Sequence, residues 1–132
     1  MTNRRERTTL FVLFGYTSCC MFPMKPIEFL GGSRRALAAF PAEARRTAGF
    51  QLDRIQRGLE PNDWKPFHSV GPGAIELRVR DSAGAFRVIY VAKFESTIFV
   101  LHAFQKKGRK TSIMDVELAR ARYAEISRIH AA

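Results

Sequence analysis

Three consecutive strand-like segments joined by turns of only a few residues constrain this chain more than any other feature. The first, AIELRVRD (residues 74–81), alternates strictly, with Ile75, Leu77 and Val79 on one face and Glu76, Arg78 and Arg80 on the other. SAGA then turns the chain into FRVIYVAKF, which is apolar on both faces, as a strand covered from each side must be. Glu95-Ser96 turns it again into TIFVLHAF. Strands joined this closely must pair antiparallel, because a parallel return needs a crossover of a dozen or so residues.

Helical periods flank this sheet. KPIEFL reads as a first strand closed by Gly31-Gly32. Ser33 is positioned to cap a short helix, SRRALAAF. After Pro41 a longer helix runs through AEARRTAGFQLDRIQRGL, with Ala44, Ala48, Leu52, Ile55 and Leu59 at helical spacing and Gly58 and Pro61 to end it. Arg45, Arg46, Arg54 and Arg57 form its solvated side. EPNDWKPFHSVGPG, dense in proline and glycine, reads as a loop. After the third strand, Ser112 and Asp115 form a capping box for a last helix whose Val116, Ala119, Tyr123 and Ile126 face inward. The expected fold class is α+β: a small antiparallel β-sheet with two N-terminal helices packed on it and a C-terminal helix.

Residues 1–23 stand apart as an N-terminal extension, with a basic start and a mixed apolar stretch from Leu10 to Phe22. A signal peptide is one reading, but no small-x-small cleavage site follows, and the stretch is too short and too polar to span a bilayer. The alternative is an upstream start codon, with the domain proper covering residues 24–132. The two cysteines, Cys19 and Cys20, are adjacent and both lie in this extension, leaving the domain without a thiol for a disulfide, a zinc site or a nucleophile. That fits a reducing, cytoplasmic setting.

The balance of 22 basic against 12 acidic side chains, a formal charge of +10, points to a polyanionic partner. His68, His102 and His130 are far apart and carry no metal-ligand spacing, so neither a metal nor a cofactor is expected. Proline in Gly71-Pro72-Gly73 removes the amide that a phosphate-cradling loop would use. What remains is lysine and arginine on a sheet. Four cations, Lys106, Lys107, Arg109 and Lys110, fall within five residues at the end of the last strand.

If Phe94 pairs with Thr97, then Arg87, Ile89, Val91 and Lys93 share a face with Ile98, Val100, His102 and Phe104. If Asp81 pairs with Gly84, Arg78 lies opposite Arg87 on that face; a slip of one residue would move it to the other. Two guanidinium groups placed opposite one another repel. Either Glu76 or Asp81 neutralises them, or an external phosphodiester does, held by the forked guanidinium geometry. With RNA such a site needs no metal: the 2'-hydroxyl attacks the adjacent phosphate, and fixed cations stabilise the charge that builds on the phosphoryl oxygens. Crowding among like charges lowers the proton affinity of a lysine, which makes Lys106 or Lys107 a candidate proton-transfer group, with His102 the other. Arg80, Arg109 and Lys110 are read as contacts to the RNA backbone.

The segments GFQLDRIQRGLEPNDWKPF and GAIELRVRDSAGAFRVIYVAKFESTIFVLHAFQKKGRKTS resemble the phage-derived HigB-like toxins of the RelE/ParE superfamily, the toxic halves of type II toxin–antitoxin pairs. The likeness covers roughly residues 24–128 and rests on ELR, FRVIYV, LHxFxKK and a following KT in that order. It implies mRNA cleavage at the ribosomal A site and inhibition by an antitoxin with a helix-turn-helix domain. By motif, Arg78 and Arg87 match phosphate-binding arginines, and Lys106 and Lys107 match the basic stretch after the last strand. The chain departs from the pattern in reading KKGRKT where relatives commonly have KKTQKT, and in carrying Glu76 where the best-known ribonuclease branch tends to have a lysine. Two other readings stay open: a non-nuclease toxin acting on gyrase, as the ParE branch does, and an inactive RNA-binding or interaction domain.

Overall fold

Strand alternation and short turns produce the central sheet. The computed structural model describes residues 6–8, 24–94 and 97–130. In chain order the elements are β1 (Glu6–Thr8), β2 (Ile27–Phe29), α1 (Ser33–Ala38), α2 (Ala42–Gln56), β3 (Trp64–Pro66), β4 (Ala74–Asp81), β5 (Gly84–Phe94), β6 (Thr97–Lys106) and α3 (Ile113–His130). The sheet order is β1-β2-β6-β5-β4-β3. Both expected hairpin registers form, with Asp81 opposite Gly84 and Phe94 opposite Thr97.

The fold is α+β as the sequence indicates, with one strand pair that breaks the antiparallel pattern. β2 runs parallel to β6, Ile27 beside Ile98. The intervening helices and strands supply far more chain than a parallel connection needs. β1 pairs antiparallel with β2. The rest of the N-terminal extension, with Leu10–Phe22, Cys19 and Cys20, lies outside the described residues, as do Glu95 and Ser96.

The two helices after β2 cover one face. Leu37, Phe40, Ala44, Ala48, Leu52 and Ile55 close over Leu77, Val79, Phe86, Val88 and Tyr90. On the other face α3 seats Ala119, Tyr123 and Ile126 against Ile89, Val91, Phe99 and Leu101. Burial of these apolar groups supplies the main stabilisation, about 25 cal/mol per Å² removed from water.

Four local expectations are corrected. The segment read as a loop contains β3, whose Trp64, Lys65 and Pro66 pair with Leu77, Glu76 and Ile75; proline is tolerated there because β3 is an edge strand. Ser33 does not cap α1, whose N-cap is Gly32; its hydroxyl is buried and donates to the Val100 carbonyl at 3.1 Å, pinning the helix to β6. Leu59 is half exposed, because α2 stops at Gln56 and Gly58 takes a positive φ of 82° that leaves the helix. Ile98 and Val100 face α1 and α2 and not the Arg87 face, since the register slips between Ile89 and Tyr90 and Leu101 bulges out of the β5–β6 ladder. The Leu101 carbonyl receives a 2.6 Å hydrogen bond from Arg122 of α3.

The capping box at α3 forms: Ser112 Oγ accepts the Asp115 amide at 3.1 Å and donates to its carboxylate at 2.7 Å. Ala119, Tyr123 and Ile126 are buried as expected and Val116 is half-buried. No helix among the described residues is long and apolar enough to cross a membrane.

Candidate functional site

Beside the apolar patch under α3, the same sheet face turns cationic. Arg78 and Arg87 are cross-strand partners, so alternation brings both guanidinium groups to that face. Glu76 lies two residues back on β4 and is opposite Lys65 of β3. Its side chain is buried, 1% exposed, at the centre of the group. Oε1 lies 3.8 Å from Lys65 Nζ and 3.8 Å from Arg78 Nε, and Oε2 lies 3.7 Å from Arg87 Nε. Arg78 also has Asp63 Oδ1 at 3.7 Å.

The cationic turn is tied into this arrangement. The Thr111 hydroxyl donates to Glu76 Oε2 at 3.4 Å, folding the segment after β6 back onto the sheet. Lys106 is half-buried at the end of β6, and Lys107, Arg109 and Lys110 are exposed. Lys106, Lys107, Gly108 and Lys110 line an open cleft of about 470 Å³ together with Ser112 and Asp115.

Electrostatics set the character of the site. Burial lowers the pKa of Arg87, opposed by Glu76 and reinforced by the charges of Arg78 and Arg80. The pKa of Lys106 is also lowered, first by burial and then by the charge of Arg87, with Lys65 and Arg78 adding to it and Glu76 opposing. The ion pairs are loose: Glu76 Oε1, Arg78 Nε and Arg87 Nε are all buried without a hydrogen bond. Among the described residues, Lys65, Arg78, Arg87 and Lys106 face two carboxylates, Glu76 and Asp63, so that positive charge is in excess there.

Residues 35–124 match the family described as phage derived protein Gp49-like (DUF891), a phage-derived family with toxin-like members. The chain belongs to this family. A comparison with curated proteins finds no match. The Gp49-like region includes every residue of the cationic cluster, from Asp63 to Thr111.

Within this Gp49-like chain, the structure brings Arg78, Arg87 and Lys106 together, with exposed Arg80 contributing to the same field. Of the two carboxylates that could have relieved the arginine pair, Glu76 does so; Asp81 instead accepts the Ala83 amide in the β4–β5 turn at 2.7 Å. Lys107 and Lys110 line the cleft, and Arg109 is exposed on the same turn. His102 is engaged elsewhere. Its Nε2 lies 2.7 Å from Asp115 Oδ1, and its ring stacks on Phe104 at 5.0 Å. Burial pushes its pKa down against the pull of Asp115, and Arg122 adds to the lowering. His102 thereby ties β6 to the first turn of α3.

Sequence reasoning missed Lys65, Asp63 and Thr111. Lys65 was hidden because the prolines around it argued against a strand. An apolar Trp64 followed by a charged Lys65, set against alternating AIELRVRD, is the signal that could have revealed it.

Proposed function

We propose that this Gp49-like protein is a HigB-like toxin of the RelE/ParE superfamily, acting as a metal-independent mRNA endoribonuclease in a type II toxin–antitoxin pair. One observation carries the reading: Lys65, Arg78, Arg87 and Lys106, from four different strands, gather around the single buried carboxylate of Glu76, and Lys106 continues into the adjoining cationic cleft. Guanidinium forks match two phosphate oxygens at once and stabilise the charge that grows there during in-line attack by the 2'-hydroxyl. Lys106, its proton affinity lowered, is suited to proton transfer, and Lys107 stands beside it. Arg80, Arg109 and Lys110 extend the positive surface along which an RNA backbone would run. The proposed setting is the cytoplasm, with the ribosomal A site presenting the message and a helix-turn-helix antitoxin restraining the toxin.

Mapping mRNA 5' ends after brief induction tests the proposal. Cuts clustered at codon positions are expected, and they should vanish in Arg87→Ala/Lys106→Ala while the protein stays folded. Growth arrest that persists in this double variant, with no new 5' ends, would reject the nuclease reading in favour of a gyrase-directed toxin. No arrest even with the wild type would favour an inactive binding domain.

A further inference from the structure

The cleft at the end of β6 mixes charges in a way that a plain anion site does not. Lys106, Lys107 and Lys110 line it, yet among the described residues around it stands one carboxylate, that of Asp115. A carboxylate repels a phosphate. It does not repel a neutral nucleobase, and at about 470 Å³ the cleft falls in the size range of sites that enclose small molecules. Phe104 gives it an apolar wall. Phe104 is the cross-strand neighbour of Arg87, and Lys106 is that of Ala85, which in turn pairs with Arg80. A base held in the cleft therefore lies beside the cations read above as contacts to the RNA backbone.

The free acceptors of Asp115 can be counted. Ser112 Oγ donates to Oδ2 at 2.7 Å, and the neutral His102 ring donates from Nε2 to Oδ1 at 2.7 Å. A carboxylate has about four lone-pair sites, two on each oxygen. One remains on each oxygen, and the side chain is 27% exposed. Two acceptors side by side match a base that presents two adjacent N–H groups on one edge. Guanine does so with N1–H and its N2 amino group, whereas adenine, cytosine and uracil each set an acceptor beside the donor. Lysine ammonium groups only donate, and they complement O6 and N7, the acceptors of guanine.

We propose, resting on the ribonuclease reading above, that this cleft is a guanine subsite beside the scissile linkage and that Asp115 selects the base. Ser112 and His102 are positioning residues, whose hydrogen bonds hold the carboxylate in one orientation. Asp115→Asn turns one acceptor into a donor. Its remaining oxygen still serves His102, and the Ser112 hydroxyl can rotate to accept from the new amide. An acceptor and a donor side by side fit adenine, the base that asparagine reads through N6 and N7.

The test uses the full chain in two arms. In the first, mRNA 5' ends are mapped after brief induction of wild type and Asp115→Asn. Wild-type cuts should fall immediately beside guanine, and those of the variant should move toward adenine. The ratio of guanine to adenine cuts should drop by roughly 5- to 150-fold, the discrimination of one bidentate pair. In the second, filter binding compares 2'-O-methyl oligouridylates whose central base is G, A, C or U; guanine should bind tightest to the wild type, and adenine to the variant. Wild-type cuts without guanine enrichment would overturn the subsite and leave the nuclease reading intact. Uniform loss of cleavage in Asp115→Asn, with the base profile unchanged, would also overturn it, because Asp115 would then only cap α3. If the wild type does not cleave, the nuclease reading falls and the binding arm decides the subsite by itself. Equal affinity of the wild type for the four oligonucleotides, or none, rejects it, and this holds even if the variant fails to fold.

Discussion

Replacing Glu76 with leucine should unfold the site from its most buried charge outward. Of its three cationic partners, Lys65 is 51% exposed and Arg78 30% exposed, so both can turn to water. Arg87 cannot, with its side chain 5% exposed and its Nη1 donating to the Phe86 carbonyl at 3.1 Å. Its attraction to a carboxylate at 3.7 Å is about 4 kcal/mol at an effective dielectric constant of about 20. Breaking a buried pair by removing one member costs about 3–5 kcal/mol, chiefly because the survivor is left uncompensated. Without a hydrogen bond in the pair, the lower end applies, about 3 kcal/mol. That is a large share of the 5–15 kcal/mol typical of a domain, and at roughly 3–5 °C per kcal/mol it lowers Tm by about 10–15 °C. Glu76→Leu/Arg87→Met removes both charges and should recover most of the loss. Urea titration of the two single variants and the double variant gives the coupling directly. A cost below about 1 kcal/mol for Glu76→Leu, with additive behaviour in the double variant, would show that Arg87 is solvated despite its burial and would refute the electrostatic account.

Two further outcomes follow from the same geometry. The pKa of His102 is lowered from its ordinary 6.5, so the fold prefers the neutral ring: its contribution to stability is complete above pH 6.5 and is lost as pH falls below that value toward the folded-state pKa. Chemical denaturation of wild type and His102→Gln between pH 5 and 7 should show a steeper acid loss in the wild type, and equal slopes would contradict this. RNA affinity should fall steeply with salt, and Lys107→Ala and Lys110→Ala should each reduce the log–log slope by about 1 if each side chain meets a phosphate; slopes unchanged in a filter-binding titration would exclude that contact.

Sequence alone determined the antiparallel core, because turns of a few residues force antiparallel pairing, whereas the register, and with it the Arg78–Arg87 juxtaposition, was one of the alternatives that the sequence allowed and is fixed in the structure by Asp81 opposite Gly84. It also determined the apolar stripe of α2 and the capping box of α3, which depend on spacing along a single helix. Other features depended on contacts between segments distant in the chain. The side chain of Ser33 found the Val100 carbonyl, a bulge at Leu101 sent Ile98 and Val100 to the opposite face, and β2 paired in parallel with β6. Most of all, the burial of Glu76 among Lys65, Arg78 and Arg87 is a property of three adjacent strands, one of them hidden among prolines. Local periodicity records which face a residue takes; the company it keeps there is decided by strand order, which only tertiary packing sets.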